Sequence, residues 1–284
     1  MAAAFGWAGC TPRDDDPKHK KEWGECTRNT ECSRDKICRN RKCVPLPPAP
    51  PAAALKPPAG MVHIPAGEFT MGSSRGLQQE RPQVQGRTTD FFIDANEVTI
   101  SQYGRCVQAG QCPPPSCPQD FGPDVPVACV SQTAAAAYCA FSGKRLPTEE
   151  EWEKAARGID ARTYPWGEDA PNCSRAVFQG CTPENTPLPA GERPAGKSPY
   201  GTMDQAGNVW EWTATSRPLW DKEKDPRRLQ AGHEPPKGAS AADRNPKPSK
   251  PHFIIRGGSF LDPPLSMRTT LRFLMPADFS SRAL

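Results

Sequence analysis

Twelve cysteines, four histidines and an acid set between two tryptophans are the residues of this 284-residue chain whose types and spacing bear on chemistry. Cys26, Cys32, Cys38 and Cys43 follow the spacing C-x5-C-x5-C-x4-C inside a segment too short to bury a core. Two disulfides would give such a segment its shape. Zinc is the competing chemistry, but structural zinc sites draw on closely spaced C-x2-4-C pairs, which this spacing lacks. Three disulfide pairings remain open. Seven more cysteines lie downstream, at Cys106, Cys112, Cys117, Cys129, Cys139, Cys173 and Cys181, an odd number. Local spacing suggests Cys173 with Cys181 and Cys129 with Cys139, which leaves one of the first three unpaired. His19, His63, His233 and His252 are too scattered to make a ligand cluster.

The elements that must position these groups are punctuated by proline and glycine, 35 and 23 of them, which argues for a loop-rich chain carrying linkers. The 36 basic residues are nearly matched by 32 acidic ones, so nucleic acid is not an expected partner. No apolar run approaches the ~20 residues of a membrane span. Cysteine-rich composition favours an oxidising, extracytoplasmic compartment. Residues 1–25 read as an export-signal remnant and charged tether. Small residues precede Cys10 as they do a lipidated cysteine, so a lipid on Cys10 would attach the chain to a membrane; the alternative is a disordered tail with an incidental cysteine. Residues 26–43 form the Cys-rich module, and 44–59 a Pro/Ala linker of polyproline II character.

From residue 60 to 284 the pattern is that of one domain. Alternation predicts strands at 61–64, 69–72 and 89–94, and again at 253–256. Thr99 with Gln102, and Thr148 with Glu151, are capping boxes that open helices; a third helix, alanine-rich, spans Ser131 to Ser142 and closes at Gly143. Trp152, Ala155 and Ala156 are its neighbour's core stripe. Residues 217–251 are charged, Pro-rich and poor in apolar anchors, which reads as a solvated insertion. No internal repeat is present.

Five motifs agree in order: the stretch from Met61 to Gly72, Asn96-Glu97-Val98-Thr99, the run from Gly143 to Trp152, Gly207-Asn208-Val209-Trp210-Glu211-Trp212, and Arg256-Gly257-Gly258-Ser259-Phe260. Together they resemble the formylglycine-generating enzyme (sulfatase-modifying factor) family over roughly residues 60 to 284. The resemblance implies an α+β, loop-rich fold related to C-type-lectin-like domains. It implies that Asp204, Gly207, Val209 and Glu211 hold a structural calcium through two side chains and two carbonyls, with Asp204 replacing the usual asparagine; a loop held by hydrogen bonds alone is the alternative. A second calcium site is less supported, since only Asn172 and Cys173 match its start.

In family members that generate formylglycine, two cysteines after the Gly-Gly-Ser corner hold copper(I). Here those positions fall on Asp262 and Met267, a hard donor and a lone thioether, so copper is not expected. Iron, used by the carbon–sulfur bond-forming branch, lacks its histidines and is not expected either. What remains near that corner is Trp210, Ser259, Arg268 and Arg272. The arginines are suited to bidentate recognition of an anion, or else pair with carboxylates; Ser259 satisfies a ligand or only the turn. The family's chain continues past the position of Leu284 into a strand bearing a cysteine, so truncation at this end is also expected. The reading is an extracytoplasmic, non-catalytic binding or structural module whose partner is an envelope peptide, protein or glycan. The alternative is an oxidoreductase of the family with altered residues.

Overall fold

A computed structural model describes residues 36–39, 42–45, 56–218 and 251–284. The chain divides into two units at Leu55/Lys56. Of the first, the hairpin of β1 (Lys36–Arg39) and β2 (Lys42–Pro45) is described, with Cys38 opposite Cys43 in antiparallel register. Cys10, Cys26 and Cys32, and residues 219–250 of the insertion, lie outside the described residues.

In the second unit, β3 (Met61–Ile64) pairs antiparallel with β6 (Phe91–Asp94), and β4 (Gly67–Met71) with β5 (Val84–Thr88). A three-stranded antiparallel sheet runs in the order β7 (Glu211–Pro218), β8 (Pro251–Arg256), β9 (Arg272–Pro276). β5, β7 and β9 were not foreseen, and Arg217, Pro218 and Pro251 are strand residues, which trims the insertion at both ends.

The three helices form where their caps predict. Thr99 Oγ1 accepts from Gln102 N while Gln102 Oε1 accepts from Thr99 N, opening α1 (Ile100–Gln108). Ser131 caps α2 (Gln132–Phe141), and the Thr148–Glu151 box opens α3 (Glu149–Arg157), which stops at Gly158 with φ +70°. A left-handed residue costs glycine nothing, so the helix ends there.

Trp152, Ala155 and Ala156 are fully buried, as their spacing requires. The same helix also buries its charges. Glu153 accepts from Gly72 N (2.6 Å), Arg157 (3.0 Å) and Arg256, tying β4 and β8 to one carboxylate. Arg256 lies 5.0 Å over the Trp152 ring and donates to the Thr270 and Leu271 carbonyls. Lys154 donates to Pro65 O, Gly67 O and Thr88 Oγ1, and burial pulls its pKa down. α3 is therefore a polar hub inside an apolar shell, each buried charge being answered by a partner.

The disulfides correct one expectation. Cys106 bonds Cys112, Cys117 bonds Cys129 and Cys173 bonds Cys181, while Cys139 is the free thiol among the described residues. Cys129 and Cys139 do not pair. α2 carries Cys139 about 12 Å along its axis from Ser131, beyond the ~7 Å Cα separation a disulfide spans. Of Cys106, Cys112 and Cys117, none is left over.

Candidate functional site

The tryptophan run sits where the chain must turn sharply three times. Asp204 (φ +54°), Gly207 (φ +89°) and Asn208 (φ +60°) are left-handed, and Asp and Asn are the side-chain-bearing residues that best tolerate that region. At Gly207 a Cβ would overlap the Val177 carbonyl, to which Asn208 N donates. The Asn208 side chain then bonds both Leu188 backbone groups and Glu97 Oε2 (2.7 Å), while Val209 N donates to Glu97 Oε1 (3.0 Å). Glu97 and Asn208 thus lock the loop to the start of α1. Neither stood out as a site residue in the sequence; a buried acid beside a capping threonine was the available signal.

Three carboxylates meet in this region, Glu97 and Asp204 buried and Glu211 half-buried. Burial, then the charges of Asp204 and Glu211, hold Glu97 well above the usual carboxylate range. Burial pushes Glu211 up to about 8, with Asp204's charge adding to the rise, and Asp204 up to about 6. Glu211 Oε2 accepts from Trp152 Nε1 (2.9 Å) and Asp204 Oδ2 from Gly191 N (2.5 Å). The second oxygen of each carboxylate, and the carbonyls of Gly207 and Val209, accept no hydrogen bond from another described residue. No three His, Cys, Asp or Glu side chains among the described residues make a metal-binding group by themselves. The open donors are thus two carboxylates and two carbonyls, all hard oxygens.

The Gly257-Gly258 corner carries the second group. Ser259, fully buried, donates to the Asp262 carboxylate, and Trp210 Nε1 donates to Asp262 Oδ2 (2.8 Å). Trp210 also packs edge-on against Phe273 at 5.4 Å. Met267 is fully buried against Ala176, Phe178 and Ala206. The structure thus joins Trp210 and Ser259 through Asp262 and sets Met267 in the core.

The two arginines part company. Arg272 is buried between Glu149 (2.8 Å) and the Glu80 carbonyl, and burial lowers its pKa. Arg268 bonds Glu80 through Nε alone, at 2.9 Å and 3.0 Å, and its terminal nitrogens have no partner among the described residues. Glu80, fully buried, also takes the Thr270 hydroxyl; these donors hold its pKa down against the cost of burial.

A loop-rich α+β domain with a polar helix at its centre and an acid–tryptophan loop beside a Gly-Gly-Ser corner defines a recognisable class. The chain belongs to the formylglycine-generating enzyme (sulfatase-modifying factor) family, the model of the "Sulfatase-modifying factor enzyme 1-like domain" matching residues 47–283. It is 36% identical over 209 residues to a hercynine oxygenase of Mycobacterium tuberculosis, covering 70% of this chain and 41% of that protein. It is 31% identical over 213 residues to the inactive C-alpha-formylglycine-generating enzyme 2 of Mus musculus, covering 55% of this chain and 68% of that one. The structure of PvdO from Pseudomonas aeruginosa superposes with a TM-score of 0.60 at 23% identity, covering 78% of this chain and 90% of that chain, a likeness of fold alone. This chain spans less than half the length of the hercynine oxygenases it matches. Three disulfides mark a domain suited to an oxidising compartment, and no helix among the described residues is long and apolar enough to cross a membrane.

Proposed function

We propose that this is an extracytoplasmic binding or structural module of the family, stiffened by calcium and not generating formylglycine. One observation carries the reading. The positions that match the copper thiolates are a carboxylate already engaged by Trp210 and Ser259, and a methionine sunk in the core. No cysteine follows Cys181, so a soft ion that calls for paired thiolates finds no ligands at this corner.

Calcium suits the tryptophan loop on different grounds. Asp204 and Glu211 each keep an oxygen open, the Gly207 and Val209 carbonyls are unclaimed, and burial, which raises the pKa of both carboxylates, makes their ionised forms costly without a cation beside them. Bound there, the ion supplies rigidity. The relation to C-type-lectin-like domains belongs to the same reading: an irregular chain held in shape by a few polar centres, presenting loops to a ligand. Arg268, whose terminal nitrogens have no partner among the described residues, is suited to meet an anionic part of an envelope peptide, protein or glycan. A lipid on Cys10 would hold the module at a membrane.

Incubation of the purified domain with copper and a Cys-x-Pro-x-Arg peptide tests the reading. No aldehyde is expected, and stoichiometric conversion of the cysteine overturns it. A second reading, an oxidoreductase with altered residues, draws on the likeness to a hercynine oxygenase. One equivalent of iron or copper retained through purification would favour it.

A further inference from the structure

We propose that Glu97 is a positioning residue for the calcium loop: it stands outside the four ligands and aims two of them, the Gly207 and Val209 carbonyls. The proposal rests on the calcium reading and adds to it a residue on which the affinity for the ion depends.

The two carbonyls belong to the peptides Gly207–Asn208 and Val209–Trp210, and a carbonyl points opposite the N–H of its own trans peptide. Asn208 N donates to Val177 O (2.8 Å) and Trp210 N to Ala283 O (2.7 Å), so each ligand peptide is turned by a backbone acceptor on its far side. The peptide between them is held on both sides: Val209 N donates to Glu97 Oε1 (3.0 Å), and Asn208 O accepts from Phe260 N (2.8 Å). The three planes are hinged at the Asn208 and Val209 Cα atoms, so a shift of the central one moves both neighbours. Of the groups that fix these planes, Glu97 alone acts through its side chain.

Glu97 is firmly mounted for that duty. It is buried, Val98 O beside it accepts from Val127 N (2.9 Å), and Thr99 caps α1. Its second oxygen takes Asn208 Nδ2 at 2.7 Å. The Asn208 amide is itself pinned, its Oδ1 accepting from Leu188 N (3.0 Å) and its Nδ2 donating also to Leu188 O (3.1 Å). One carboxylate thus grips the backbone of one loop residue and the side chain of the one before it, at a turn where Asn208 is left-handed at φ +60°. Groups that orient metal ligands in this way typically cost about 10–100-fold in metal affinity when removed. In Glu97→Gln one end of the side chain becomes a donor facing Val209 N or Asn208 Nδ2, so one of the two bonds must break.

Calorimetric titration of the full chain with calcium, well below each variant's melting temperature, is the first test. Glu97→Gln should bind about 10–100-fold more weakly than wild type. A residue that only held the fold would lower the melting temperature without calcium and leave that affinity in place. Terbium(III), a hard-ion surrogate excited through Trp210 of the same loop, gives a second readout. Its luminescence lifetimes in light and heavy water count the waters on the ion, and Glu97→Gln should gain about one as a carbonyl turns away. Asn208→Gly suits the left-handed turn and keeps the charge of Glu97; it should weaken calcium as well, and the double variant no further than the weaker single, since the two side chains act as one unit. If Glu97→Gln does not fold, Asn208→Gly alone decides. Wild type that binds no calcium would remove the calcium reading and this proposal together. Wild type that binds calcium while Glu97→Gln stays within about twofold of it, an unchanged water count, or wild-type affinity in Asn208→Gly would each overturn the role of Glu97 and leave the calcium reading standing.

Discussion

Calcium binding to the tryptophan loop should release about one proton near neutral pH, and counting that proton is the sharpest test of the site. Glu211, pushed up to about 8, is roughly nine-tenths protonated at pH 7, while Asp204, at about 6, is roughly one-tenth protonated. A cation that needs both carboxylates ionised therefore displaces close to one proton per ion. Apparent affinity should rise by up to about tenfold per pH unit between about pH 6 and 8, and flatten above. Calorimetry in two buffers of unlike ionisation enthalpy gives the proton count directly.

The same shift fixes the sign of stability without metal. Glu211's folded-state pKa lies above its ordinary 4.5, so between those values the folded chain keeps a proton that the unfolded chain has lost. Stability without calcium should then fall as pH rises through that window, by at most about 1.4 kcal/mol per unit for this group. Saturating calcium should remove the share of the slope that belongs to Glu211. Glu211→Gln, which keeps the neutral shape, should remove this group's share of the slope and abolish the gain in melting temperature from calcium. A pH-independent affinity with no proton released, or an unaltered calcium effect in Glu211→Gln, would refute the reasoning.

Three further outcomes test the frame around the site. Glu153→Ala strips Arg256, Arg157 and Gly72 N of their shared buried acceptor and should lower unfolding free energy in urea by about 3–5 kcal/mol; a loss under about 1 kcal/mol would show the hub to be dispensable. Gly207→Ala meets the Val177 carbonyl at φ +89°, so a loss of about 2 kcal/mol or more is expected, and a neutral result would mean that the loop adopts another path. Non-reducing peptide mapping should recover Cys117 linked to Cys129, with Cys139 carrying the alkyl label after unfolding; burial pushes its thiol up to about 11, so native labelling should be slow at neutral pH. A peptide joining Cys129 to Cys139 would contradict the fold.

What was legible in the sequence was whatever depends on neighbours within a turn or two. The capping boxes at Thr99 and Thr148 and the buried stripe of Trp152, Ala155 and Ala156 all follow from spacings of three or four residues, and all are found. The motif order likewise led to the right family. Partnerships between distant segments were not legible. Glu153 reads as a solvated acid in a run of acids, and only the fold brings Arg256, 103 residues away, onto it. Glu80 is alike: nothing near it in the chain marks it, yet it gathers Thr270 and Arg268 from almost two hundred residues on.

The cysteines show how two local inferences have to be tested against each other. Pairing Cys129 with Cys139 and placing a helix from Ser131 to Ser142 are each reasonable by spacing, but a helix is a ruler, and eight residues of it separate the sulfurs by more than a disulfide can close. With that pair excluded, Cys129 turns back to Cys117 instead, at φ +57° and a Cα separation of 5.7 Å, and its partner from the earlier segment is used up. The odd thiol is then displaced by geometry onto α2, where Cys139 is half-buried and burial raises its pKa.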